Sequence, residues 1–186
     1  MRELKAKTVQ YFGFGTNRDL EMMAHMIGRE DISGEPGKLV GYELCTLRGK
    51  QFRDEIPTTS PLDISPRTLV VDLMGPEFEM YVSRPNPDGV IYGTIWEITP
   101  EEFELVREWE MVEYGAQEDV KATATNSKGE IVEIITQSFI NSPIPEIDKI
   151  ITGDNYEDYI APKESMLKNA DRVRLQYLDL KRKMTE

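Results

Sequence analysis

The chain has 186 residues, and its 34 acidic against 22 basic side chains give a formal net charge of −12 at pH 7. A negative surplus of this size repels a phosphate backbone, which excludes nucleic acid as an expected partner. The single cysteine, Cys45, allows no intrachain disulfide, and one histidine is too few for a cysteine and histidine zinc site. We therefore expect a cytoplasmic protein with no metal in its chemistry.

The length and the hydropathy pattern favour one domain without a membrane segment. No stretch approaches the roughly 20 apolar residues of a membrane span, and no apolar run near the N-terminus is long enough for a signal peptide. A chain of this size can bury one core. We expect a domain over residues 1–162 and a helical tail over residues 163–186, and the sequence leaves the oligomeric state open.

The first predicted unit is a strand, a glycine-rich loop and a helix. Residues 7–14 are apolar and aromatic and end in glycines, and residues 19–27 carry apolar side chains at helical spacing. In the loop between them, residues 13–17, glycine would let a ligand approach the backbone closely. Amides at the N-terminus of the helix would favour an anion such as a carboxylate. A plain turn that binds nothing fits the same pattern.

The remaining pattern predicts further strands with helices inserted among them. Strands are predicted at 38–47, 68–74, 89–98, 117–125 and 130–139, and helices at 100–109 and 162–184. Residues 49–67 predict a long loop, residues 85–89 a turn that opens the next strand, and residues 141–162 irregular chain with a short helix.

The order of these elements predicts an α+β fold, a mixed β-barrel or sheet with inserted helices. Three predicted strands follow one another without helices, so the chain does not alternate as a doubly wound sheet does. A nucleotide-binding Rossmann domain is also disfavoured, because Gly13 and Gly15 are followed by Arg18 where that loop has its third glycine.

Glu110 is the candidate acid/base. It follows the predicted helix 100–109 and lies between Trp109 and Met111, apolar neighbours that could remove water from its carboxylate. Desolvation raises the pKa of a carboxyl group toward neutrality, as general acid/base catalysis requires. Spacing alone does not single out Glu110 among 34 acids, and a solvated carboxylate is the simpler interpretation of composition.

Other reactive side chains have ordinary interpretations. His25 sits among methionines at helical spacing and is interpreted as a core-edge or surface residue, and Cys45 as a small buried hydrophobe. Arg53 and Arg84, both predicted in loops, could meet a substrate carboxylate, although surface solvation is their default interpretation.

Four segments occur in an order that carries a resemblance. They are Phe14-Gly15-Thr16-Asn17, Gly37-Lys38-Leu39-Val40-Gly41-Tyr42, Gly93-Thr94-Ile95-Trp96-Glu97-Ile98, and Val106 to Glu110 with Gly115. In this order they resemble the gamma-glutamylcyclotransferase family and its avirulence-induced-gene-like relatives. That family has a Tyr-Gly-Ser-Asn loop and a Leu-Asp-x-x-Glu motif followed by glycine. Four residues depart from its pattern, namely Phe14, Thr16, Arg107 and Gln117.

The resemblance implies a barrel fold and a cofactor-independent enzyme. Its reaction would be an intramolecular aminolysis that releases 5-oxoproline from a small γ-glutamyl substrate. Glu110 would be the acid/base, and the substrate would be bound by Phe14, Gly15, Thr16, Asn17 and Gln117. The departures at Phe14, Arg107 and Gln117 also leave open a catalytically silent protein of the same fold that binds a small acid.

Overall fold

The computed structural model describes residues 7–139 and 146–186. The strands are β1 Val9–Gly13, β2 Gly34–Arg48, β3 Glu79–Ile98, β4 Glu118–Asn126, β5 Ile131–Ser138 and β6 Lys149–Ile151. The helices are α1 Leu20–Ile27, α2 Pro66–Met74, α3 Pro100–Trp109 and α4 Lys163–Thr185. Two short 3₁₀ turns cover Gly15–Arg18 and Gly49–Gln51.

Five of the strands close into a mixed barrel. The order around the ring is β3, β1, β5, β4 and β2, and β2 pairs again with β3. Only the β1–β5 pair is parallel among these five pairings. β6 pairs with β2 outside the ring. Closure leaves the five strands without a free edge, and the predicted α+β fold on a mixed barrel is confirmed.

The predicted turn at 85–89 does not open a strand, because these residues lie inside β3. β2 and β3 pair on both sides of an irregularity, where the partner of Val40 is Val90 and the partner of Tyr42 is Pro85. The turn-forming residues 86–89 are therefore a bulge opposite Gly41 within one long strand. Arg84, predicted in a loop, lies in the same strand and pairs with Glu43.

The predicted strand at 68–74 is wrong, because these residues belong to α2. The hydroxyl of Ser65 accepts a hydrogen bond from the backbone N–H of Thr68 at 3.1 Å, and Pro66 occupies the first helical turn. A serine cap followed by proline is a strong helix start, and it outweighs the context-dependent β-propensity of the valines that follow. The predicted short helix is absent from residues 146–162, and residues 141–145 lie outside the described part of the chain.

The helices at 19–27, 100–109 and 162–184 and the hairpin at 117–139 are confirmed to within a few residues. Thr99 and Glu102 form a capping box that starts α3. α4 packs against α1 and α3, with Met166 and Ala170 buried in the core that they share. Among the described residues, no helix is long and apolar enough to cross a bilayer.

Candidate active site

The barrel brings Asn17 and Glu110 together at the end of β1. Asn17 lies in the 3₁₀ turn after this strand, and Glu110 caps the C-terminus of α3. The two side chains are only 4% and 8% exposed. Asn17 Nδ2 donates a hydrogen bond to Glu110 Oε1 at 2.6 Å, although 93 residues separate them in the sequence.

Gln117 holds the second oxygen of the same carboxylate. Its Nε2 donates to Glu110 Oε2 at 2.7 Å, and its side chain is buried. Each oxygen of Glu110 therefore accepts one amide hydrogen bond, which fixes the plane of the carboxylate. In the described structure, the buried Oε1 of Gln117 has no hydrogen-bond partner.

Tyr11 and Trp96, opposite each other on β1 and β3, orient Asn17. Asn17 Nδ2 also donates to the hydroxyl of Tyr11 at 2.9 Å, and Trp96 Nε1 donates to the backbone carbonyl of Asn17 at 2.9 Å. Burial raises the pKa of Tyr11 well above its ordinary value, and the nearby charge of Glu110 raises it further. The tyrosine thus stays protonated and available to hydrogen-bond its neighbours.

The pKa of Glu110 suits proton transfer near neutral pH. Burial raises it from an ordinary 4.5 to about 7. The hydrogen bonds from Asn17 and Gln117 lower the pKa, since they stabilise the charged form, and the negative charge of Asp119 raises it. Desolvation outweighs the two hydrogen bonds, and the result is a group that can both accept and return a proton.

The backbone after Glu110 turns sharply. Met111 is buried and has φ of 53°, a left-handed conformation that costs a side-chain-bearing residue about 1 kcal/mol. Gly115 has φ of 76°, and a Cβ there would lie 2.7 Å from Pro57 Cγ. A glycine is therefore needed five residues after Glu110, because a side chain would not fit at the end of this turn.

The glycine loop does not form the N-terminus of α1, contrary to expectation. The 3₁₀ turn intervenes, and the Asp19 carboxylate caps α1 by accepting from the backbone N–H of Met22. The backbone N–H of Gly15 donates to the Tyr156 hydroxyl at 3.1 Å. The end of α1 is thus already occupied by a side-chain carboxylate, which removes the predicted anion site at that helix.

A cavity of about 250 Å³ lies beside Glu110. Phe14, Thr16, Asn17 and Glu110 line it, whereas Gly15 and Gln117 do not. Gly15 supports the loop from behind, with φ of 58° and no room for a Cβ against Tyr81. The structure therefore brings three of the five predicted binding residues to the cavity together with the predicted acid/base. The role of all five in binding stays a prediction.

Sequence reasoning missed Tyr11, Trp96 and Tyr156. The one available signal was chemical, since buried tyrosine and tryptophan usually need a partner for their polar atoms. His25 is half-buried and contacts Asp171 through Nδ1 at 2.9 Å, away from the cavity. Cys45 is buried as predicted, and burial raises its pKa to about 11. The described residues contain no group of three or more histidine, cysteine or acidic side chains arranged to hold a metal.

The protein is thus an α+β barrel of five mixed strands, with a buried carboxylate beside the loop that follows its first strand. The sequence matches no protein-family model and no curated protein. Solved structures do match. One is described as a gamma-glutamyl cyclotransferase, with a TM-score of 0.55, 12% identity, and coverage of 76% of this chain and 70% of that one.

Two further structures have the same fold. An uncharacterised protein from Homo sapiens matches with a TM-score of 0.52 and 13% identity over 75% of this chain and 69% of that chain. A protein from Arabidopsis thaliana matches with a TM-score of 0.53 and 16% identity over 80% of both. At these identities the similarity concerns the fold, and the chain has the gamma-glutamyl cyclotransferase fold.

Proposed function

We propose that this chain is a cyclotransferase that releases 5-oxoproline from a γ-glutamyl amine or γ-glutamyl amino acid. One observation carries the proposal. Glu110 is a buried carboxylate on the wall of a ligand-sized cavity, held by two amides, with its pKa raised to about 7. The fold similarity supports the same class of enzyme.

The reaction would need one group that moves a proton twice. The substrate's α-ammonium gives a proton to Glu110, and the freed amine attacks the γ-carbonyl carbon to close a five-membered ring. The ring nitrogen then gives up its second proton and the γ-amide C–N bond breaks, while Glu110 passes both protons to the leaving nitrogen, which departs as an ammonium ion. A carboxyl group with pKa near 7 is matched to both transfers at neutral pH. The reaction is balanced without a cofactor.

The surrounding residues would divide into two groups. Phe14, Thr16 and Asn17 line the cavity and would contact the substrate, which must bend so that its amine and carbonyl meet. Gly15 would shape the loop, and Gln117 would act through the carboxylate that it holds. Gln117 is therefore proposed as a positioning residue. We also propose that the reaction occurs in the cytoplasm.

The test compares wild type and Glu110→Gln on a panel of γ-glutamyl substrates. The 5-oxoproline released is measured by mass spectrometry. Loss of general acid/base catalysis typically costs a factor of about 10² to 10⁴, and we expect kcat to fall by that range. Glu133→Gln is the matched control, because Glu133 is exposed on β5. Wild-type turnover by Glu110→Gln would refute the assigned role.

The second candidate is a catalytically silent protein that binds a small acid. It is favoured by one observation, that both Glu110 oxygens already accept amide hydrogen bonds, which weakens the carboxylate as a base. This candidate predicts that a small acid such as 5-oxoproline raises the melting temperature while no substrate in the panel is turned over.

A further inference from the structure

The cavity beside Glu110 offers no cation to the α-carboxylate that a γ-glutamyl unit carries. Among the described residues that line it, the charged side chains are Glu79, Glu108 and Glu110, all of them acidic. A carboxylate held there without a positive partner would be costly, because a buried charge needs an opposite charge or hydrogen bonds. A cation does directly follow Asn17, the lining residue that bonds Glu110, but this cation, Arg18, does not line the cavity.

Arg18 is bound instead by the strap, which we define as residues 152–161 between β6 and α4. Its guanidinium forms an ion pair with the carboxylate of Asp158 and lies over the ring of Tyr156, 3.6 Å from the ring centroid. It also donates hydrogen bonds to the backbone carbonyl of Asp154, at 3.0 Å, and to that of Tyr156. A carboxylate of the chain itself therefore occupies this cation.

Side chains alone hold the strap to the body of the protein. Among the described residues, no backbone–backbone hydrogen bond involves residues 152–161. Besides the contacts of Arg18, the polar contacts of the strap come from tyrosine hydroxyls, namely Tyr81 with the carbonyl of Glu157, Tyr156 with Gly15 and Tyr92, and Tyr159 with Asp19. A segment without backbone pairing opens at a lower cost in free energy than a paired strand or a helix.

The strap lines two hollows that meet at successive residues of the loop after β1. Asn17 lines the cavity beside the candidate acid/base, whereas Arg18 lines a second hollow of about 370 Å³. The strap contributes side chains to both, which are Ile160 and Ala161 in the cavity and Asp154 and Asp158 in the second hollow. Outward movement of the strap would therefore free the guanidinium and join the two hollows along this loop.

We infer that Arg18 binds the α-carboxylate of the γ-glutamyl unit, and that Asp158 competes for the same guanidinium while the strap is closed. This inference rests on the proposed function and names a specificity-determining residue of its site. A guanidinium suits the task, because it stays charged and can bind a carboxylate through two parallel N–H groups. The substrate has to displace Asp158, so its apparent affinity is reduced to the extent that the strap is closed.

Two substitutions that break the same ion pair should have opposite effects on binding. Asp158→Asn removes the competing carboxylate, and we expect KM for γ-glutamyl-alanine to fall by a factor of about two to five, as for a partly exposed ion pair. Arg18→Gln removes the partner of the substrate carboxylate, and we expect KM to rise at least about tenfold. An ion pair with a structural role alone would shift KM in the same direction in both variants, which would overturn the inference.

Glu157→Gln is the matched control for Asp158→Asn. Glu157 is the neighbouring acid on the strap, but it is exposed and lines neither hollow. We expect KM for γ-glutamyl-alanine to stay at its wild-type value in this variant. A fall in KM equal to that of Asp158→Asn would mean that the net charge of the strap, and not competition for Arg18, sets the affinity.

A binding measurement separates failure of this inference from failure of the proposed function. Glutaramate carries the carboxylate and the γ-amide of the γ-glutamyl unit but no α-amino group, so it cannot cyclise. In calorimetric titrations we expect Asp158→Asn to bind it more tightly than wild type, and Arg18→Gln more weakly. This order without any release of 5-oxoproline would overturn the proposed reaction alone. Turnover with equal glutaramate affinities in all three proteins would overturn the inference alone, and absence of both binding and turnover would overturn both.

Discussion

Replacing Glu110 by glutamine should stabilise the protein at alkaline pH and have little effect on its stability in acid. The carboxyl group has an ordinary pKa of 4.5 and a folded-state pKa of about 7. Between these values the folded protein holds a proton that the unfolded chain releases, so stability falls as pH rises from 4.5 to 7. The penalty is complete above pH 7 and absent below 4.5.

The size of the effect follows from the difference between the two pKa values. At 1.36 kcal/mol per pH unit, a rise from 4.5 to about 7 corresponds to about 3 kcal/mol of stability lost at pH 8. A glutamine at position 110 does not titrate and should recover most of this free energy. For a chain of this length, about 3 kcal/mol corresponds to a rise in melting temperature of roughly 6–12 °C.

The hydrogen bonds around Glu110 can accommodate an amide. The new carbonyl oxygen can accept from Asn17 Nδ2. The new NH₂ can donate to Gln117 if that side chain turns its amide over, since its Oε1 is buried without a partner. The substitution therefore keeps both hydrogen bonds to residue 110, and the Gln117 NH₂ takes the unpaired position that Oε1 held, so the lost charge is the main change.

The assay is urea unfolding at several pH values from 4.5 to 8.5, followed by tryptophan fluorescence. We expect the difference between Glu110→Gln and wild type to grow from near zero at the acid end to its full value by pH 8. The control is again Glu133→Gln, whose difference from wild type should not follow this curve. A pH-independent difference for Glu110→Gln would mean that burial does not raise the pKa of Glu110, and that this carboxyl group is not suited to accept and return a proton at neutral pH.

Two further predictions concern the surroundings of the carboxylate. Gln117→Met removes a donor to the charged form of Glu110, so the acidic limb of the kcat/KM profile should move up by about one pH unit. Gln10→Met, where the amide bonds the exposed Glu97 instead, should leave the limb in place. Gly15→Ala should lower the melting temperature more than Gly129→Ala. Both glycines have positive φ, but only at Gly15 would the Cβ meet a side chain, 2.5 Å from Tyr81 Cδ2. Equal losses would mean that backbone strain alone accounts for the effect.

The elements that sequence predicts well have ends that carry local signals, and α2 is an exception, because its Ser65 and Pro66 start is followed by a run rich in β-formers. The capping box of Thr99 and Glu102 and the turn at 126–129 are complete within four or five residues, and both give correct boundaries. The turn-forming segment at 85–89 misleads because β2 pairs with β3 on both sides of it. No local pattern reports that pairing, since the two strands meet through the closure of the barrel.

In the candidate site, too, local sequence predicts some features, and others depend on residues that are far apart in the chain. Family-like spacing selects Glu110, but its pKa depends on burial and on Asn17, 93 residues away. In the sequence, Arg107 stands where the family motif has an aspartate. In the structure its guanidinium pairs with Glu113 at 2.5 Å and Asp119 at 2.7 Å.

Asp119 is the acid whose charge raises the pKa of Glu110, so Arg107 limits that effect by pairing with it. The departure from the family pattern therefore has an electrostatic role beside the proposed catalytic carboxylate. An arginine suits this role because its planar guanidinium pairs with Glu104, Glu113 and Asp119 through three different nitrogens. That role depends on the fold of α3 against β4, which residue identity alone does not predict.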